Sequence, residues 1–239
     1  MTMHELITSI SAAVLVGVAA LTGQPSLADP ALPSTPAVPR STACAGVLRC
    51  HVVAVVDVDG DDRADQVGWR QLDERSVQIR VARASGAMLT HTVDVHLWWG
   101  GGAWAGAARI DDRAGSELLV GSMQGAHTPM YTMLTYRAAG LVVERSPSAL
   151  GCRWQVDAAY GDYLGWWRHI VGGRVAMTER LAFRNVGGRS FSGHDVTYVW
   201  STNRWVRTTT SAKTYPTAKA ASVIAGFHVP GLQRFPGVG

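Results

Sequence analysis

The sequence is short of lysine, phenylalanine, cysteine and helical periodicity, and each shortage narrows its reading. Lysine occurs twice against twenty arginines. In a chain rich in Gly and Ala, that imbalance reads as a GC-rich coding sequence and not as a nucleic-acid-binding surface. Four phenylalanines against nine tryptophans leave much of the core filling to indole rings. The three cysteines, Cys44, Cys50 and Cys152, lack the paired spacing of a zinc site. Beyond residue 23 no apolar run is long enough to span a bilayer. The chain carries no G-x-S-x-G elbow, no HExxH, no P-loop and no dinucleotide fingerprint. No sustained 3.6-residue periodicity occurs before residue 211, so the chain reads as strands.

Residues 7–23 are an apolar run, and Ser26-Leu27-Ala28 places small residues at the −3 and −1 positions of a cleavage site before Asp29. Residues 1–28 are therefore expected to be a secretory signal peptide, although its start lacks the usual Lys or Arg. The expected product is secreted, extracellular or held at the cell envelope, with no transmembrane span after cleavage. Residues 29–43, with Pro30, Pro33, Pro36 and Pro39, read as an extended linker. Residues 44–210 are enough for one domain with its own core. Residues 211–239 contain Pro216, Pro230, Pro236 and several glycines, and read as a poorly ordered basic tail. Past Asp195 no acidic residue offsets Arg204, Arg207, Lys213, Lys219 and Arg234, which favours acidic polymers as partners.

An exported chain with three cysteines is expected to form one disulfide and leave one thiol. Cys44–Cys50 would be a local clasp. A bond from Cys44 or Cys50 to Cys152 would close a loop of about a hundred residues, and the chain-entropy argument favours that longer closure.

Among the charged residues, one run has the spacing of a cation loop. Asp57, Asp59, Asp61 and Asp65 fall at positions 1, 3, 5 and 9 of residues 57–65, with the Arg63 carbonyl at position 7. Hard oxygen ligands at that spacing suit calcium. Gly60 lets the backbone turn sharply. The apolar run 51–57 precedes the loop and reads as a strand buried on both faces; residues 66–70 follow as a second strand.

This strand, Asp loop and strand resemble the FG-GAP or VCBS repeats of secreted and cell-surface proteins. Those repeats are blades of integrin-type β-propellers with a DxDGDGxxD calcium loop. Asp62 stands where that pattern has its second Gly, and Asp accepts a left-handed backbone better than most residues. The resemblance is strong over residues 52–96 and weaker over 104–145; from 150 onward only a general similarity to small secreted actinobacterial repeat proteins is visible. It implies an all-β fold and a structural Ca2+ held by Asp57, Asp59, Asp61, Arg63 and Asp65.

Residues 76–83 and 89–96 alternate cleanly and complete a four-stranded antiparallel meander. Residues 109–120 echo the first loop. Arg109 and Arg113 replace Asp57 and Asp61, while Asp111 and Glu117 match Asp59 and Asp65. A cation cannot be held there, but an Arg–carboxylate pair would brace the loop without metal. Strands are expected at 130–136 and 141–143, then at 152–156, 165–170 and 173–183, and in a hairpin of 195–200 and 205–209 around Ser201-Thr202-Asn203-Arg204. The modules are thus about 51–97, 104–145 and 152–210. Three blades are too few to close a propeller, so the expected fold is all-β, blade-like antiparallel meanders in a compact or partial-propeller arrangement.

Catalytic candidates are sparse. His127 is flanked by Gly125 on a loop, Asp94 and His96 share a strand face, and His194-Asp195 are mere neighbours. Glu117, Glu144 and Glu179 supply carboxylates without a distinctive spacing. The doublets Trp98-Trp99 and Trp166-Trp167 each place one ring on either face of a strand, and an exposed ring would stack on sugar. The residues thus point to a non-catalytic interaction module, with cell-wall polysaccharide or another envelope protein as its partner. A glycan-processing hydrolase using His127 is the alternative.

Overall fold

In the computed structural model, residues 42–96, 105–125, 128–138, 140–149, 151, 153–156 and 161–235 are described. The expected signal peptide, nearly all of the linker, Trp98, Trp99, His127 and Cys152 lie outside these residues. Three β-sheets account for most of what is described. The first is a meander of β1 (Cys50–Val56), β2 (Asp65–Gln71), β3 (Ser76–Ala82) and β4 (Met88–Asp94), paired antiparallel in chain order. The second runs β5 (Gly106–Ala108), β6 (Glu117–Gln124), β7 (Pro129–Arg137) and β8 (Gly140–Glu144), with the short β9 (Trp154–Gln155) also paired to β7. In the third, β10 (Asp162–Val171), β11 (Arg174–Arg184), β12 (Phe191–Ser201) and β13 (Arg204–Tyr215) form a long antiparallel meander. Among the described residues the sheets do not close into a barrel, as expected for a partial blade arrangement.

The second sheet is the middle layer, and its sequence shows why. Successive residues of a strand face opposite ways. On β6, Leu118 and Val120 enter a core with Val67, Ile79, Val81 and Val93 of the first sheet. Leu119 enters a second core with Met133, Trp154, Trp166, Met177 and Tyr198 of the second and third modules. A strand apolar on both faces can satisfy both only between two layers. By contrast β1, expected to be buried on both faces, is an edge strand. Val53 and Ala54 are buried, but Val52 and Val55 are 41 % and 45 % exposed, and the register shifts between Val52 and Ala54. Its apolar run is consistent with burial on one face only.

The expected loose tail beyond residue 210 is a correction. β13 continues to Tyr215, and a short helix α1 (Ala218–Ser222) follows, capped by the Thr217 hydroxyl accepting from Ala220 N at 3.1 Å. Then β14 (Gly226–His228) adds a parallel strand beside β10. Farther on, Gln233 exchanges backbone hydrogen bonds with Ala107 at 2.9 Å each. Ile224, Phe227, Val229 and Phe235 are buried, and Phe235 reaches the first core. Burying such side chains yields roughly 1.5–3 kcal/mol apiece, which outweighs the breaking tendency of the prolines and glycines. Gly165 and Gly106 make the docking possible: a Cβ on either would overlap the carbonyl oxygen of Ile224 or Gln233. The packed region thus reaches at least residue 235.

The disulfide is also a correction. Cys44 bonds Cys50, with the Cα atoms 5.2 Å apart. The local turn 43–46 brings Cys44 beside the start of β1, and proximity decides over loop length.

Candidate metal centre

The loop between β1 and β2 is built from its own side chains. Asp57 Oδ1 accepts from Gly60 N at 2.7 Å and from Asp61 N at 3.3 Å, and its Oδ2 accepts from Asp62 N at 3.0 Å. Asp61 Oδ1 accepts from Arg63 N at 3.0 Å. Gly60 and Asp62 take positive φ, 80° and 60°, so Asp62 does adopt a left-handed backbone. These turns gather one oxygen from each of Asp57, Asp59 and Asp61 within 4.8 Å of one another, a set able to hold a metal ion.

Asp65 is not in that set. It is fully buried, with Oδ2 accepting from Val58 N at 2.9 Å and Oδ1 from Ala84 N at 2.8 Å. Its carboxyl ties the loop to the end of β3, and burial raises its pKa despite those two donors. Arg63 is exposed, and its Nη2 donates to the Ala84 carbonyl at 2.8 Å. Asp59 differs from its neighbours: its side chain is 1 % exposed, Arg83 donates two N–H groups to Oδ2, and Oδ1 is buried with no hydrogen-bond partner among the described residues. An orphaned buried carboxylate oxygen beside two further carboxylates fits a hard cation.

The second loop repeats the frame without the acid set. Glu117 Oε2 accepts from Ile110 N at 2.6 Å, as Asp65 does from Val58 N, and Arg137 pairs with Asp111 as Arg83 pairs with Asp59. The brace expected of this loop is present, but its arginine comes from the end of β7 and not from Arg109 or Arg113. The two loops touch, Ser116 N donating to Asp57 O at 2.8 Å. Arg83 and Arg137 stand far along the chain from the loops they close, and only the parallel between modules marks them in the sequence.

Around Arg137 the carboxyls are crowded. Burial, then the charge of Asp111, pushes Glu117 up to about 7. Burial, then Asp111 and Glu117, pushes Glu144 up to about 8, against the Trp205 N–H and Arg137 that favour its charged form. Arg137 Nη2 donates to Glu144 Oε2 at 3.2 Å, and Trp205 Nε1 donates to Oε1 at 2.7 Å. Glu179 on β11 is buried, and its pKa is raised by burial while Ser148 and Tyr198 hydroxyls donate to it.

The remaining candidates separate. Trp166 is fully buried, its Nε1 donating to Gln155 O at 2.9 Å, so it fills the core and offers no face to a ligand. Trp167 stacks on His228 at 3.9 Å between centroids and carries Arg180 4.2 Å from its ring. Asp195 faces Arg180 and Lys213 at 3.6 and 3.7 Å. Among the described residues no helix is long and apolar enough to cross a membrane. Comparison with known proteins returns nothing: no family model matches the chain, and no curated protein or solved structure matches it.

Proposed function

We propose that this chain is a secreted, non-catalytic β-repeat module of FG-GAP/VCBS type, stabilised by one calcium ion in its first loop and presenting an interaction surface outside the cell or at its envelope. The carrying observation is the buried, unpartnered Oδ1 of Asp59 within the Asp57–Asp59–Asp61 cluster. Asp57, Asp59 and Asp61 would hold the ion, which would supply charge neutralisation and a fixed loop and no chemistry on a substrate. Calcium suits an all-oxygen donor set better than a transition metal does. A non-catalytic role is supported by how the other buried carboxylates are engaged: Asp65 and Glu117 hold backbone N–H groups, and Asp111 holds Arg137. The outward surface is supported by β13, a sheet-edge strand that exposes Arg204, Arg207 and Lys213, with wall polysaccharide or an acidic envelope protein as the expected partner.

Thermal unfolding in EDTA and in millimolar calcium tests this. An ion at a hundredfold excess over its Kd adds about 2.7 kcal/mol, which in a domain of this size raises Tm by roughly 5–10 °C. Asp61→Ala, an exposed change, should abolish the rise while leaving the EDTA melt near that of the parent. An identical melt with and without calcium in the parent chain would overturn the reading.

A further inference from the structure

Between β8 and the β12–β13 hairpin lies a pocket of about 350 Å3, on residues other than those of the first loop. One side is aromatic. Trp200 and Trp205 meet edge to face, with centroids 4.9 Å apart and planes at 69°. Beside them the Glu144 carboxyl is fixed at both oxygens, by Trp205 Nε1 at 2.7 Å and Arg137 Nη2 at 3.2 Å. At the mouth stand Arg145 and Arg204, both exposed, and neither has an ion-pair partner among the described residues.

The β12–β13 turn borders the pocket through Asn203 and Arg204. The hairpin turns through Thr202 and Asn203 with φ of 51° and 65°. Asn tolerates that region, but a β-branched Thr is an outlier there. Arg113 Nε, from the second loop, donates to Asn203 Oδ1 at 3.1 Å and pins the tip.

We propose that this pocket binds a single saccharide unit carrying a carboxylate. Its volume lies at the small end of ligand pockets, which suits one ring. Indole rings offer an apolar wall to the C–H face of a pyranose. Glu144, held at both oxygens, keeps acceptor capacity for hydroxyls. The planar forks of Arg145 and Arg204 match a carboxylate. A bare anion would leave the aromatic wall unused, and a neutral sugar would leave two unpaired guanidinium groups unused. The proposal is independent of the cation loop, so the calcium result does not bear on it.

Intrinsic tryptophan fluorescence of the full chain, titrated at constant ionic strength with D-glucuronate, D-glucose and acetate, tests it. Glucuronate should give a saturable change in the millimolar range, with glucose and acetate each at least roughly tenfold weaker. Arg204→Ala and Arg145→Ala remove exposed side chains without structural partners, so both should keep the parent melt and weaken glucuronate. Saturation-transfer NMR on the sugar protons gives a second readout that does not depend on which of the nine tryptophans responds. Equal binding of glucose, equal binding of acetate, unchanged affinity in both arginine variants, or no saturable response to glucuronate would each overturn the proposal.

Discussion

Stability should fall as pH rises from about 5 to 8, the reverse of ordinary acid denaturation, and the cause is the carboxyl group around Arg137. Glu117 titrates at about 7 and Glu144 at about 8 in the fold, against a reference of 4.5. A raised folded pKa means that the folded state holds protons the unfolded chain has released. The contribution is complete below 4.5 and is lost as pH rises through 7 and 8. A carboxyl moved from 4.5 to about 7 corresponds to roughly 3 kcal/mol. Because Glu117, Glu144 and Asp111 share one neighbourhood, that figure serves for the cluster and is not doubled. At roughly 2–4 °C per kcal/mol, Tm should drop by about 6–12 °C between pH 5 and pH 8. Asp65 and Glu179, also raised by burial, act in the same direction. Differential scanning calorimetry in EDTA across this range measures the slope. Glu117→Gln keeps an acceptor for the N–H of Ile110 while removing the charge, and paired with Glu144→Gln it should flatten most of the slope above pH 6. A Tm that is constant or rises over pH 5–8, or a double variant with the parent slope, would refute the reasoning.

Two substitutions probe backbone geometry. Thr202→Asn places a residue suited to positive φ in the tight turn after β12, and should stabilise the chain by about 1 kcal/mol, read as a shifted denaturant midpoint at constant slope. Gly165→Ala puts a Cβ against the Ile224 carbonyl oxygen where β14 docks on β10. The segment from 216 onward should detach, losing several kcal/mol of burial and becoming open to limited proteolysis between α1 and β14, while the first sheet persists.

Much of the fold was legible because strands announce themselves by period two. The two alternating strands of the first sheet, β3 and β4, the strands flanking the Asp loop and the hairpin at 201–204 all fall within a few residues of where the sequence places them. β5 escaped because Gly106-Ala107-Ala108 has too little apolar bulk to mark a strand; it is strand because Leu118 and Gln233 lie on either side of it. The closing segment escaped for a related reason. Its signal is four separated apolar residues among prolines and glycines, and their value depends on grooves supplied by β10 and β5. At the candidate centre the carboxylates were legible from spacing. Their division of labour was not, because Asp65 is claimed by the backbone N–H of Val58 within the loop and of Ala84, which the sequence leaves 19 residues away.

The two loops also show what a metal would replace. Each carries one buried aspartate gripped by an arginine that arrives from the third strand of its module, Arg83 for Asp59 and Arg137 for Asp111. In the second loop Arg109 and Arg113 occupy the flanking ligand positions, and the guanidinium group is the whole solution. In the first, Asp57 and Asp61 remain, and Arg83 satisfies only one oxygen of Asp59. The two arginines should therefore respond differently to the same truncation. Removing one partner from a pair this buried strands the other charge, at about 2–4 kcal/mol. Arg83→Ala should lose that much in EDTA and recover most of it in millimolar calcium, with a calcium-induced rise in Tm larger than the parent's. Arg137→Ala should lose a similar amount and gain no more from calcium than the parent does. Equal calcium responses in the two variants would mean that the first loop, like the second, is closed by its arginine alone.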